Sequence, residues 1–150
     1  MNDSLTAPET ALLLAHVAST WFLVGLIWIV QRVTYPAFHL AEGDGTEYHR
    51  HHTRGIGPVV GPVMAIEAAT AVLLVVVGVP GVPLALALVG LGLLGVVQAS
   101  TVLLQVPAHD RLSDGMEPDE ISSIVRTNWI RTLGWTARGA VALWMLVAAG

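Results

Sequence analysis

The sequence predicts an all-α integral membrane protein, a bundle of four transmembrane helices, and three observations carry that prediction. Of 150 residues, 54% are hydrophobic and only 12% charged, with a mean hydropathy of +0.68, whereas soluble domains keep about 25% of their residues charged. Apolar stretches recur at lengths that suit a bilayer. Crossing about 30 Å of hydrocarbon as helix takes roughly 20 residues, because every backbone polar group has to be satisfied inside the segment. Finally, the arginines gather around alternate connections, as the sidedness of membrane insertion requires.

The first span, residues 11–33, is uncharged until Arg32. Asp3 and Glu9 precede it, where a cleaved signal peptide carries positive charge, so the segment is expected to be retained. The second, residues 55–79, is interrupted only by Glu67, and the third, residues 83–106, carries no charge. Between them Val79-Pro80-Gly81-Val82-Pro83 supplies the turn, since neither proline continues a helix and the glycine relieves the bend. The fourth, residues 128–149, contains Arg131 and Arg138. Pro118 after Glu117 marks a helix start, and Ile121, Ile124 and Val125 recur at helical spacing, so one long, partly interfacial helix is expected to lead into this span. The first connection, residues 39–53, is long and charged enough to hold a short helix of its own. The whole chain reads as a single transmembrane domain, residues 1–150.

The formal net charge is −4 and all seven positive charges are arginines, which leaves no basic patch for nucleic acid. Absence of cysteine excludes disulfides, thiolate nucleophiles and Cys-ligated metal sites, so any metal would use His, Glu or Asp. Arg32, Arg50 and Arg54 flank the first connection and Arg111, Arg126 and Arg131 the third, which puts both long connections in the cytoplasm and both termini outside.

A polar residue within a span is a functional hypothesis by default. Gln98, Thr101, Gln105 and His109 recur at i, i+3, i+7 and i+11, one stripe on an unbroken helix, and Asn128, Arg131, Thr132 and Trp135 form a second. Two such stripes are expected to face each other, because lipid offers them no partner. At about 1.5 Å per residue, Glu67, Gln98 and Arg138 lie roughly 12 to 16 Å from the cytoplasmic ends of their spans and form a buried polar cluster. It is either a structural ion pair or, in a small transporter or exporter, a proton-coupling group. Nearer the cytoplasmic surface Gln31, Tyr35, Gln105, His109, Asn128 and Arg131 form a second layer, with Tyr48, His49, His51 and His52 available from the first connection. An Arg fork, an Asn amide and an imidazole together hold an anionic or enolic oxygen while His exchanges a proton. On this reading His109 is the acid-base group, Arg131 and Asn128 hold the oxyanion, and Tyr35, Tyr48, Gln31, Gln105 and Trp135 bind the substrate.

Glu47 and His51 share a helix face at i, i+4 and, with His52, are the metal-ligand candidates; imidazole and carboxylate suit Zn, Fe or Mn, yet no established ligand motif accompanies them. Haem is disfavoured because His16 sits near the opposite face, far from His109. Trp21, Trp28 and Trp144 read as packing or interface anchors.

The segments QRVTYPAF (31–38), YHRHHTRGIGPVVGPVMAIE (48–67), QVPAHDRL (105–112) and TNWIRTLGWTARG (127–139) resemble small four-helix bacterial membrane proteins related to the anthrone-oxygenase-like family. The likeness runs from about residue 16 to residue 144, and its most specific parts are the Pro-x-His after the third span and the Asn and Arg entering the fourth. The resemblance implies a four-helix bundle in the bacterial inner membrane and an oxidoreductase that oxygenates polyketide-like anthrones without an established cofactor. By position it carries over His109, Asn128 and Arg131, with Tyr35, Tyr48 and Glu67; Thr34 stands where such relatives often have histidine. The leading expectation is therefore a cytoplasmic-side site that binds a small hydrophobic aromatic molecule and oxidises it. A proton-coupled transporter using Glu67 and an accessory subunit of a membrane complex are the alternatives; the transporter would have to be a homo-oligomer, since four helices alone enclose little volume for a pathway.

Overall fold

The computed structural model describes residues 5–41 and 45–150, and every regular element among them is helical. Four helices result: α1 (Ala7–Leu40), α2 (Thr46–Val77), α3 (Leu84–Asp114) and α4 (Pro118–Ala149), each long and apolar enough to cross a membrane. They run beyond the expected spans, chiefly at the end of the bundle where the long connections were placed. The separate short helix expected in the first connection does not form. Residues 46–53 are instead the opening turns of α2, because Gly45, at φ 67°, makes the left-handed turn and nothing between Thr46 and the apolar stretch interrupts helix propagation. The part of that connection at residues 42–44 lies outside the described residues.

Local sequence explains the ends. Thr6 caps α1 in a capping box with Glu9. α4 starts at Pro118 with Asp119 and Glu120 in its first turn, where acidic groups offset the helix dipole. Arg111 near the end of α3 pairs with Glu120 at 2.9 Å, tying the two helices together. The turn between α2 and α3 depends on Gly81, which has φ 80° and packs so closely on the end of α4 that an added Cβ would sit 2.5 Å from the Ala148 carbonyl oxygen.

α4 packs along α1 and α3, and α1 along α2. Close approach of α3 and α4 needs Gly134, where a Cβ would meet the Val97 side chain at 2.6 Å. The interior is layered. One apolar cluster (Leu13, Leu74, Val79, Ala87 and Met145) fills the end near the α2–α3 turn, and a larger one, built around Leu23, Ile27, Val97, Ile124 and Trp135, fills the other. Between them lies a polar layer that joins α2 to α4: the Arg138 Nε donates to Glu67 Oε1 at 2.9 Å and the Trp135 indole to Glu67 Oε2 at 3.1 Å.

Candidate functional site

Two prolines shape the helix ends that carry the site. Pro36 and Pro107 have no N–H, and each ring crowds the carbonyl four residues back. In both helices the chain responds in the turn just before the proline by widening to a π-turn, Val30–Thr34 in α1 and Thr101–Gln105 in α3. The Tyr35 N–H then reaches the Val30 carbonyl and the Val106 N–H the Thr101 carbonyl, five residues back in each case. Such turns absorb one extra residue and recur at functional sites. Here they aim Gln31 and Tyr35 from α1, and Gln105 and His109 from α3.

Tyr35, Gln105 and His109 meet at a cavity of about 380 Å³ lined by all four helices, within the size range of small-molecule sites. Leu23, Ile27 and Val30 of α1 and Ile56, Val60 and Met64 of α2 give it an apolar wall; Tyr35, His52, Gln105, His109, Arg131 and Trp135 supply polar groups. Gly57 and Gly61 leave the α2 side thin, with open space where a Cβ would be.

Arg131 dominates the electrostatics. Its side chain is buried, its guanidinium donates to Asn128 Oδ1 at 3.2 Å and stacks over the Trp135 ring at 5.2 Å, and it lies beside the Tyr35 hydroxyl. Its Nε has no hydrogen-bond partner, and among the described residues no carboxylate pairs with it. The Gln105 amide donates to Thr127 at 2.9 Å while its Oε1 is buried and unpartnered. A cation and an unsatisfied acceptor thus border one apolar space.

Behind them runs a chain of hydrogen bonds. Tyr35 Oη contacts His109 Nε2 at 2.9 Å, and His109 Nδ1 contacts His49 Nε2 at 2.9 Å. Both ring nitrogens of His109 are therefore occupied. Phe38 packs against His49 and His52, and His52 stacks on His109.

The expected residues divide into three groups. Tyr35, Gln105, His109, Arg131 and Trp135 line the cavity. Asn128 and Gln31 stand behind it: Asn128 Nδ2 and the Thr132 hydroxyl both donate to Gln31 Oε1, and the Gln31 amide donates to the Val125 carbonyl, so the pair holds Arg131 in place. Tyr48 is exposed, edge-on to Phe38, and outside the cavity. In the deeper layer Glu67 and Arg138 pair as expected, with Arg138 also donating to the Gly90 carbonyl. Trp135, not Gln98, completes that cluster; the π-turn after Gln98 shifts the phase of α3, so Gln98 and His109 no longer share a face. His16 is a packing residue, 3.0 Å from the Thr70 hydroxyl.

Among the described residues no group of three or more His, Asp or Glu side chains is placed to hold a metal ion. Glu47 pairs with Arg50 at 3.5 Å on the surface, His51 is exposed, and His52 turns toward the cavity.

His49 is the residue that sequence reasoning undervalued. It follows from a single helix starting at Thr46, since Glu67 lies eighteen residues after His49, about five helical turns, and so on the same face.

No protein-family model, curated protein or solved structure matches the chain, so its chemistry is argued from the site.

Proposed function

We propose that the protein binds a small hydrophobic aromatic molecule bearing an acidic oxygen, a phenol or an enolisable ketone, within the membrane, ionises it and oxidises it. The observation that carries this reading is Arg131, a buried cation without a carboxylate partner among the described residues, in the wall of an apolar cavity. Burying an unpaired charge is costly, and an ionised oxygen on the ligand removes that cost. The ligand's rings fill the space between Ile27, Val60 and Met64, and its oxygen faces Arg131 Nε. A donor group elsewhere on the ligand satisfies Gln105 Oε1.

Proton transfer runs through Tyr35. His109 is the base, but its ring nitrogens are taken by Tyr35 and His49, so the ligand meets the tyrosine hydroxyl first. Asn128 acts on the guanidinium rather than on the ligand. The oxygenation itself is taken from the resemblance to the anthrone-oxygenase-like family: a deprotonated anthrone is electron-rich, and with dioxygen and one proton taken back from water it yields anthraquinone and water. The arginine distribution favours the cytoplasmic side for the site, with both termini outside, and the resemblance favours a bacterial inner membrane.

Binding of 1-naphthol and of naphthalene to the protein in nanodiscs tests the first half. Naphthol is expected to bind more tightly, through Arg131. Equal affinities, or naphthol binding unchanged by Arg131→Met, would remove the assigned role. Dioxygen uptake on addition of anthrone tests the second half, and no uptake above the protein-free rate would confine the protein to binding.

A further inference from the structure

The hydrogen bonds do not stop at His109. His49, buried and outside the cavity lining, places its Nδ1 3.5 Å from the Ser113 hydroxyl, which is exposed near the end of α3 and donates to the His109 carbonyl at 2.9 Å. We infer that Tyr35, His109, His49 and Ser113 form a proton relay that carries a ligand's proton from the apolar cavity to water at the end of the bundle, with His49 a positioning and relay residue that never touches the ligand. This rests on the binding of an acidic ligand proposed above and adds the route by which its proton leaves.

One assignment of protons satisfies every contact. Tyr35 donates to His109 Nε2, His109 Nδ1–H donates to His49 Nε2, and His49 Nδ1–H donates to Ser113. All four groups are then neutral, with one proton in each hydrogen bond. When the ligand O–H gives its proton to Tyr35 Oη, the tyrosine proton moves to His109 Nε2 and the His109 Nδ1 proton to His49 Nε2. The His49 Nδ1 proton then leaves through Ser113 to water. One O–H bond of the ligand is broken, one proton is released, no electron is transferred, and the ligand oxyanion remains opposite Arg131. The rings are packed for this. His49 and His109 stack with centroids 5.2 Å apart, and Phe38 shields His49. The other titratable or charged side chains around the cavity are His52, Asp110 and Arg131; Arg131 donates to the Tyr35 oxygen, which leaves the tyrosine proton for His109.

The test uses 4-nitro-1-naphthol, whose phenolate is coloured and whose neutral form is nearly not, mixed rapidly with the full chain in nanodiscs below the probe's own ionisation range. Phenolate is expected to form on binding, and calorimetry in two buffers of different ionisation enthalpy is expected to show one proton released. In His49→Gln the affinity and the final colour are expected to hold while phenolate appears at least tenfold more slowly. Tyr35→Phe, which removes the first link, is expected to slow it as well. Wild-type phenolate formation that is equally fast in His49→Gln overturns the relay and leaves the binding reading standing. If His49→Gln does not fold, an unchanged rate in Tyr35→Phe overturns the relay instead. Probe bound without ionisation in the wild type, or not bound at all, overturns the relay together with the acidic-ligand reading.

Discussion

Arg131 and Arg138 are one helical turn apart from Trp135 on either side, yet their partners assign them different work. Arg138 has a carboxylate and a carbonyl and leaves its Nη2 unpartnered, and Glu67 has a donor on each oxygen, so the deeper layer is a charge-neutralised pair. Removing one member leaves the other charge buried, a loss of about 3–5 kcal/mol in such pairs. Glu67→Gln is therefore expected to lower the unfolding midpoint of the purified protein sharply, and the double variant Glu67→Gln with Arg138→Met to recover most of that loss. Arg131 has an amide, a ring and a free Nε instead. Arg131→Met is expected to leave the midpoint nearly unchanged or to raise it, because the cation is uncompensated. A charge-assisted hydrogen bond is worth about 1.5–3 kcal/mol, so the same change is expected to weaken 1-naphthol binding about 10- to 100-fold, read by calorimetry.

The elements that build the site are helices with a deliberate irregularity. Each π-turn absorbs one residue, so the residues after it keep their places in the bundle while the backbone before the proline is relieved. Deletion of Leu103, an exposed residue inside the α3 π-turn, is expected to restore an ordinary turn and retain 1-naphthol affinity within about threefold. Deletion of Val96, also exposed but in the regular part of α3, rotates one end against the other by about 100° and is expected to abolish binding. Equal outcomes for the two deletions would show that the wide turn is not an absorbed insertion. Both turns had a sequence signal, a proline inside an otherwise helical pattern at Pro36 and Pro107. What the signal lacks is the choice between a kink, a stop and a π-turn, which depends on whether neighbouring helices hold both flanks in register.

At the scale of the whole molecule, the layered interior separates stability from chemistry. The Glu67–Arg138 layer and the apolar cluster near the α2–α3 turn lock one end, which leaves the other end free to carry a cavity whose polar groups are incompletely paired. The arginine distribution sets the expected orientation: alkaline phosphatase fused after Gly150 is expected to be active, since it folds only outside the cytoplasm, and inactivity would reverse the assignment of the faces. The cavity's thin side at Gly57 and Gly61 lies on an exposed part of α2, which suits the proposed entry of a ligand that partitions into the bilayer.

Four helices, their approximate spans, the stripe from Asn128 to Trp135 and the pairing of Glu67 with Arg138 were all legible in the amino-acid sequence. Hydrocarbon makes that possible: segment length and the cost of a polar side chain in lipid are properties of one helix at a time. The sequence also named Tyr35, Gln105, His109 and Arg131 as neighbours, by depth alone. It could not separate Asn128 and Gln31, which stand behind the cavity, from the residues that line it, nor exclude Tyr48 and Gln98, nor rank His49 beside His109. Those distinctions turn on helix phase after two π-turns, on where α2 begins, and on how closely Gly134 lets α3 approach α4. Each is a relation between helices, decided only when all four are packed together.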